Sequence, residues 1–151
     1  MSTVILGLDP GASTGCAIYR AGVLVHLETI APEGIADYIF QVGPTRVIFE
    51  DSRLQTKVWT PAKGAAALKV ARNIGEIDAW CKLITAVCER YSIPAHGISP
   101  KDKGAKTDAV RFAAITGWTG KSNEHTRDGA MVAWPYRSAG SRLLMGASSG
   151  V

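Results

Sequence analysis

Three acidic residues stand where a carboxylate could take part in metal chemistry. Asp9 follows the apolar run at residues 4–8 and precedes a Pro-Gly turn, and Glu50 ends a second apolar run at residues 47–49. Short apolar runs bounded by turn residues are typical of buried strands, so both acids are predicted to lie where a strand leaves the core. A rigidly held carboxylate there suits a hard cation such as Mg²⁺, although Asp9 taken alone is equally an ordinary turn residue.

The third acid, Asp128, lies in a predicted helix of small residues at 124–134. His125 stands three positions earlier and is predicted to share its face. An acid buried among small residues needs a partner or a metal ion, and the simpler alternatives for Asp128 are a salt bridge with Arg127 or an exposed surface charge. If the three carboxylates converge, they form the ligand set for paired divalent ions in phosphodiester hydrolysis, in which one ion activates water and the other stabilises the leaving oxygen.

The elements that must position these acids alternate along the chain, which favours an α/β fold built on one sheet. Ala21 and Gly22 are predicted to form the two-residue turn of a hairpin. Gly75 lies inside a long helix. It is expected either to break the helix or to let another element pack closely against it there. Strands are predicted at residues 4–9, 15–20, 23–29, 46–50 and 94–99, and helices at residues 32–42, 62–91, 108–116 and 124–134.

Length and composition indicate one globular domain, predicted to span residues 1–137, followed by a loose tail at 138–151. The 151 residues are 46% hydrophobic and 20% charged. No apolar stretch reaches the length of a membrane span, and the N-terminus lacks the basic region of a signal peptide. Three cysteines without a CxxC pair favour reduced thiols in a cytosolic protein, with Cys81 and Cys88 in the core.

The net charge of +4 is unevenly distributed. Residues 1–50 hold five acidic and two basic residues, whereas residues 51–151 hold eight acidic and fifteen basic ones. A basic half favours a polyanionic partner such as nucleic acid. The polar loop at residues 51–61 carries Trp59, which is predicted either to lie half-buried at the domain or at a subunit contact, or to stack on an unpaired base.

Three motifs of the chain resemble those of RuvC-type Holliday junction resolvases, the small bacteriophage members in particular. They are residues 7–11 (Gly-Leu-Asp-Pro-Gly), 47–50 (Val-Ile-Phe-Glu) and 125–130 (His-Thr-Arg-Asp-Gly-Ala), and the likeness spans residues 4–134. The resemblance implies an RNase H-like fold, with a central mixed sheet flanked by helices. It also implies a homodimer that nicks four-way DNA junctions symmetrically, using two Mg²⁺ ions per active site or Mn²⁺ in their place. Such an enzyme would work in the cytoplasm of a bacterial or phage-infected cell, away from any membrane.

The resemblance assigns roles to individual residues. It implies that Asp9, Glu50 and Asp128 are metal ligands, and that His125 contacts a metal ion or the attacked phosphate. Two lysines, Lys101 and Lys106, would lie near the scissile phosphate and complete the catalytic set. It also places the dimer contact on the helix at residues 65–77. The residues predicted to bind DNA are Arg53, Lys57, Trp59, Lys63, Lys101, Lys103 and Lys106.

Other polar residues are left outside the predicted site. Asp51 should point to the opposite side of its strand from Glu50. His26 and His96 have no acidic or cysteine neighbours at ligand spacing, so both are interpreted as structural.

Three other functions remain compatible with these motifs. One is a module that binds branched DNA without cutting it, and another is an RNase H-like nuclease for replication forks or RNA–DNA hybrids. The third is disfavoured: in it, residues 9–15 form the phosphate loop of an actin-like or sugar-kinase-like ATPase. That arrangement needs two such domains around a nucleotide, which 151 residues do not supply.

Overall fold

Five strands form a single sheet in the computed structural model, which describes residues 3–55 and 63–138. The strands are β1 (Val4–Asp9), β2 (Thr14–Arg20), β3 (Val23–Ile30), β4 (Arg46–Glu50) and β5 (Ala95–Ile98). The helices of the described residues are α1 (Ile35–Val42), α2 (Ala65–Arg90), α3 (Ala109–Thr116) and α4 (Glu124–Ala133). The predicted order of strands and helices is confirmed.

The sheet is mixed, in the order β3-β2-β1-β4-β5. β1, β2 and β3 form an antiparallel meander, whereas β4 and β5 run parallel to β1. The parallel pairing places Leu8 beside Phe49. The residues that follow, Asp9 and Glu50, therefore leave adjacent strands at the same edge of the sheet.

Each face of the sheet buries its own apolar core. On the face covered by α1 and α2, the core consists of Leu6, Leu8, Cys16, Ile18, Ile35, Ile39, Val47, Phe49, Cys81, Ile84, Val87 and Cys88. On the face covered by α4, it consists of Ile5, Ala17, Tyr19, Leu24, Ile48, Ile98, Phe112, Ala130, Val132 and Ala133. Strand residues alternate between the two cores because successive side chains of a strand point to opposite faces. The predicted burial of Cys81 and Cys88 is confirmed.

α4 lies close to the sheet because three glycines meet there. A Cβ atom on Gly7 or Gly15 would overlap the carbonyl oxygen of Gly129 or His125, respectively. A Cβ atom on Gly129 would lie 2.6 Å from the carbonyl oxygen of Gly15. Helix and sheet are thus in backbone contact, and side chains that α4 carries to the sheet edge are held on a rigid element.

α2 is one continuous helix, and the break predicted at Gly75 is wrong. The helix runs from Ala65 to Arg90, and among the described residues no atom lies within 4 Å of a Cβ placed on Gly75. The expected close packing there is therefore also absent from the described part of the chain. A single glycine costs a helix only about 1 kcal/mol, which the buried second half of α2, around Cys81 and Ile84, offsets.

Residues 139–151, which make up all but the first residue of the predicted tail, lie outside the described residues. The domain boundary at residue 137 stays a prediction. In the part of the chain that the structure describes, none of the helices combines the length and apolar character needed to cross a membrane.

Candidate active site

A cleft of about 500 Å³ opens where β1 and β4 end. Its floor is formed by the three predicted carboxylates, Asp9, Glu50 and Asp128, and its rim includes the loop at residues 10–13. The wall also includes Ile74 and Ile77 of α2, the basic side chains Lys103 and Lys106, and His125. The tertiary structure therefore brings Asp9 and Asp128 together, although they lie more than 100 residues apart in the sequence.

Asp9 and Glu50 are close enough to share a hydrogen bond between their carboxyl groups. Burial of Asp9, this hydrogen bond and the negative charges of Glu50 and Asp128 raise the pKa of Asp9 to about 8. Two carboxylates held this close cannot both be ionised at low cost without a cation nearby. The pair therefore needs either a proton or positive charge beside it.

Asp128 supplies the third carboxylate from α4 and is 9% exposed. The helix begins with a capping box, in which Asn123 and Thr126 exchange hydrogen bonds between side chain and backbone. The alternative partner considered for Asp128, Arg127, instead donates to the Thr107 carbonyl at 2.8 Å and to Ser122 at 3.0 Å. Asp128 thus faces the cleft, and its role there is not explained by a neighbouring arginine.

Lys103 lies among the carboxylates. Its ammonium is 3.2 Å from Glu50 Oε1 and 3.7 Å from Asp128 Oδ2, and its side chain is only 13% exposed. Burial alone would lower the pKa of Lys103, but the charges of Asp9, Glu50 and Asp128 outweigh it and the net shift is upward. The sequence placed Lys103 only among DNA-binding residues, because three lysines in one short loop are indistinguishable until the path of the loop is known.

The other predicted catalytic side chains lie further out. Lys106 is 73% exposed, with its ammonium 3.9 Å from Asp128 Oδ2. Lys101 is exposed and does not line the cleft. His125 does line it, with Nε2 3.6 Å from Glu124 Oε1 on the solvent side. The geometry therefore groups Lys106 and His125 with the acids and leaves Lys101 on the surface outside.

Asp51 points away from the cleft, as predicted for the neighbour of Glu50. It is 5% exposed and binds the Arg53 guanidinium through both carboxylate oxygens at 2.9 Å. Burial would raise the pKa of Asp51, but the hydrogen bonds and charge of Arg53 reverse this and lower it. Arg53 also donates to Thr85 at 3.0 Å, so this predicted DNA-binding side chain holds the loop to α2.

A second polar cluster, missed by the sequence reasoning, supports Glu50 from behind. The Ser52 hydroxyl donates to Asp78 on α2 at 2.5 Å. The Cys81 thiol lies 3.5 Å from the Glu50 carbonyl oxygen and donates to it. These contacts fix the chain immediately after β4. They depend on the packing of α2 against this turn, so the sequence alone gave no signal for them.

The remaining candidates contribute little to the cleft. Lys63 is exposed, whereas Lys57 and Trp59 lie outside the described residues. His26 Nε2 lies 3.0 Å from Glu28, an acidic neighbour two positions away that the sequence reasoning discounted. His96 lies beside Arg46 on the parallel strands, and neither histidine lines the cleft.

The donor set agrees with a divalent cation in kind, since carboxylate oxygens are the ligands that Mg²⁺ prefers. The arrangement differs: among residues 3–55 and 63–138, no group of three or more His, Cys, Asp or Glu side chains is placed to hold a metal ion. The cation that the carboxylates surround is instead the Lys103 ammonium. The donor atoms are therefore of the kind that a divalent cation binds, but the structure places them around the Lys103 ammonium and not in the arrangement of a metal site.

No protein-family model matches the sequence, and no curated protein sequence matches it. The fold is similar to solved structures of RuvC from Thermus thermophilus. RuvC in complex with a Holliday junction substrate is 15% identical, with a TM-score of 0.61 over 87% of this chain and 90% of that one. A second Thermus thermophilus RuvC structure is also 15% identical, with a TM-score of 0.60 over 95% and 97% of the respective chains. The chain thus has the RuvC-like form of the RNase H-like fold.

Proposed function

We propose that this protein is a divalent-metal-dependent endonuclease that resolves four-way DNA junctions. The observation that carries the proposal is the convergence of Asp9, Glu50 and Asp128 in one cleft at the carboxyl ends of β1 and β4. The fold supports it, because one similar structure is RuvC in complex with a Holliday junction substrate. The basic second half of the chain supports a nucleic-acid substrate.

Asp9, Glu50 and Asp128 would hold Mg²⁺ or Mn²⁺, with His125 at the edge of the same cleft. Two such ions, when bound, would activate a water and stabilise the leaving oxygen of the phosphodiester. The protein's own contribution is to keep its oxygen donors on the rigid strand ends and on α4. Lys106, exposed at the rim, is placed to bind a DNA phosphate, and Lys101 would bind the same strand further out.

Symmetric cutting of a junction requires two active sites, so the proposal includes a homodimer. The first half of α2 is the proposed contact, as its side chains are largely uncovered in the described chain. Leu68, for instance, is 52% exposed there. An analytical sedimentation run at micromolar concentration would show a dimer if the proposal is right and a monomer if this surface is free.

Cleavage of a synthetic four-way junction tests the activity directly. The substrate is compared with a matched linear duplex, in Mg²⁺, in Mn²⁺ and in chelator. We expect metal-dependent paired nicks in the junction alone. Asp9→Asn should abolish cutting and leave junction binding intact, because it removes a ligand but no DNA contact.

The matched control is Asp37→Asn, which removes an exposed acid from α1, on the opposite face of the sheet from α4. This variant should cut like the wild type. Normal cutting by Asp9→Asn would contradict the assignment of Asp9 as a metal ligand. Cutting of every duplex, fork or RNA–DNA hybrid offered would keep the nuclease and remove its preference for junctions.

One observation favours a second candidate, a module that binds branched DNA without cutting it. The Lys103 ammonium already pairs with two of the carboxylates that a metal ion would need. A protein of this kind would bind the junction tightly in chelator and leave it uncut in either metal. The same cleavage assay therefore separates the two functions.

A further inference from the structure

The geometry points to Lys103 as a built-in competitor of the divalent cation: its ammonium holds the metal-free carboxylates together and must leave before a metal ion binds. This inference rests on the proposed metal-dependent function and deepens it. It assigns to Lys103 a positioning role that precedes chemistry, distinct from the phosphate contacts proposed for Lys101 and Lys106.

The first step of the argument is the position of the ammonium. It lies 3.2 Å and 3.4 Å from the two carboxylate oxygens of Glu50, and 3.7 Å from Asp128 Oδ2. Its charge also acts on Asp9. The amine thus contacts two of the three proposed ligands, Glu50 and Asp128, and its charge acts on the third.

The second step is enclosure. The side chains of Lys103, Glu50 and Asp128 are 13%, 18% and 12% exposed, so water screens their charges poorly. Lys106 approaches Asp128 at a similar distance, 3.9 Å, but is 73% exposed. Surface ion pairs of that kind contribute little. Of these two lysines, Lys103 is therefore the one whose charge stabilises the buried carboxylates of Glu50 and Asp128.

The third step is incompatibility. A divalent ion needs the carboxylate oxygens as ligands at roughly 2.0–2.1 Å for Mg²⁺, and Lys103 occupies oxygens of two of the three acids. An ammonium left at that distance would also repel the ion. Exchange of one cation for the other leaves positive charge beside Glu50 and Asp128 both before and after the ion binds, so these two carboxylates need not lie buried without a partner.

The fourth step is an exit. Lys103 follows the 3-10 turn at Pro100–Asp102 and precedes Gly104, whose φ is +89°. Within residues 3–55 and 63–138, no atom outside the adjacent residues lies within 4 Å of a Cβ placed on Gly104, so the described backbone beside Lys103 is uncrowded. Lys106, three residues on, already points its amine to the solvent side of the same cleft. A displaced Lys103 side chain can follow that direction without moving a strand or a helix.

Mn²⁺ binding to the metal-free protein, followed by calorimetry, tests the competition without any DNA. Lys103→Met should bind Mn²⁺ about tenfold more tightly than the wild type, because the ion no longer displaces a charge. Lys103→Arg keeps the charge and should bind like the wild type. Lys82→Met removes an exposed lysine of α2 that does not line the cleft, and should also leave affinity unchanged.

A second measurement uses the unmodified protein and does not depend on a variant that folds. An amine-acetylating reagent is applied with and without Mn²⁺, and the modified lysines are quantified by mass spectrometry. If the ion displaces the side chain, acetylation of Lys103 should rise about sixfold, the ratio of the exposed fractions of Lys106 and Lys103, 73% and 13%. Lys82 is the internal reference.

The outcomes separate this inference from the proposed function. If Asp9→Asn loses Mn²⁺ binding while Lys103→Met binds no more tightly than the wild type, the metal site stands and the competition is wrong. Equal tightening by Lys103→Arg, or unchanged acetylation of Lys103 in saturating Mn²⁺, overturns it as well. If neither the wild type nor Lys103→Met binds Mn²⁺, the proposed function and this inference fail together.

Discussion

The two faces of the sheet are packed in different ways. α4 touches the sheet through backbone atoms, at the glycines Gly7, Gly15 and Gly129. α2 packs on the opposite face through side chains such as Cys81 and Ile84, and only its second half is buried. One helix has no freedom to shift against the sheet, whereas the other is held by an apolar contact that can adjust.

The difference coincides with the division of roles in the proposed site. α4 carries Asp128 and His125, whose positions must be exact for a metal ligand set. α2 supplies only a wall of the cleft and the polar contacts behind Glu50. The closely packed face, covered by α4, therefore sets the position of Asp128. The loosely packed face, covered by α2, leaves the helical surface that is proposed as the subunit contact.

The largest expected effect comes from adding one methyl group at the closely packed face, where α4 meets the sheet. In Gly15→Ala, the new Cβ would overlap the His125 carbonyl, and a backbone atom cannot rotate away as a side chain can. We expect a loss of roughly 3 kcal/mol or more in the free energy of unfolding, measured in urea. Mn²⁺ binding should fall as well, because α4 and Asp128 must move.

The matched control is Gly34→Ala, at the start of α1. In the described part of the chain, no atom beyond the adjacent residues lies within 4 Å of a Cβ at Gly34, and its φ is −91°, which suits alanine. Its unfolding free energy should stay within about 1 kcal/mol of the wild type. Wild-type stability of Gly15→Ala would show that α4 is not in backbone contact with β2.

A cavity in the core on the face covered by α2 should lower the stability of the protein without abolishing its function. Ile84→Ala removes a fully buried side chain of α2 and should cost about 2–4 kcal/mol. Junction cleavage below the melting temperature should persist, because Ile84 lies in the apolar core between α2 and the sheet and does not line the cleft that holds the acids. Loss of cutting in a folded variant would show that α2 also sets the position of the acids.

The smallest expected effect comes from the exposed half of α2. Gly75→Ala should raise the free energy of unfolding of the monomer by roughly 0.5–1 kcal/mol, since alanine restricts the unfolded chain and meets no atom in the described residues. Thermal unfolding at low protein concentration measures it. Destabilisation that appears only at concentrations where the protein dimerises would place the partner's helix against Gly75.

Much of the candidate site was predictable because its signals are local. Asp9 and Glu50 each end an apolar run, and the end of a strand is visible in the order of residues. The small residues around Asp128 indicated a helix that approaches a sheet closely, which Gly129 confirms. The break expected at Gly75 failed for the converse reason, because burial elsewhere along α2 outweighs a local weakness.

By itself, the sequence determined the strands, the helices and the three acids, because hydrophobic period and turn residues act over a few neighbouring positions. Only the tertiary structure decided which lysine enters the acid cluster, since Lys103 and Glu50 are 53 residues apart. The same holds for Ser52 and Asp78, which are separated by 26 residues and joined by the packing of α2 on the turn after β4. Contacts of this kind depend on the path of a loop in space, and no periodicity in the chain encodes that path.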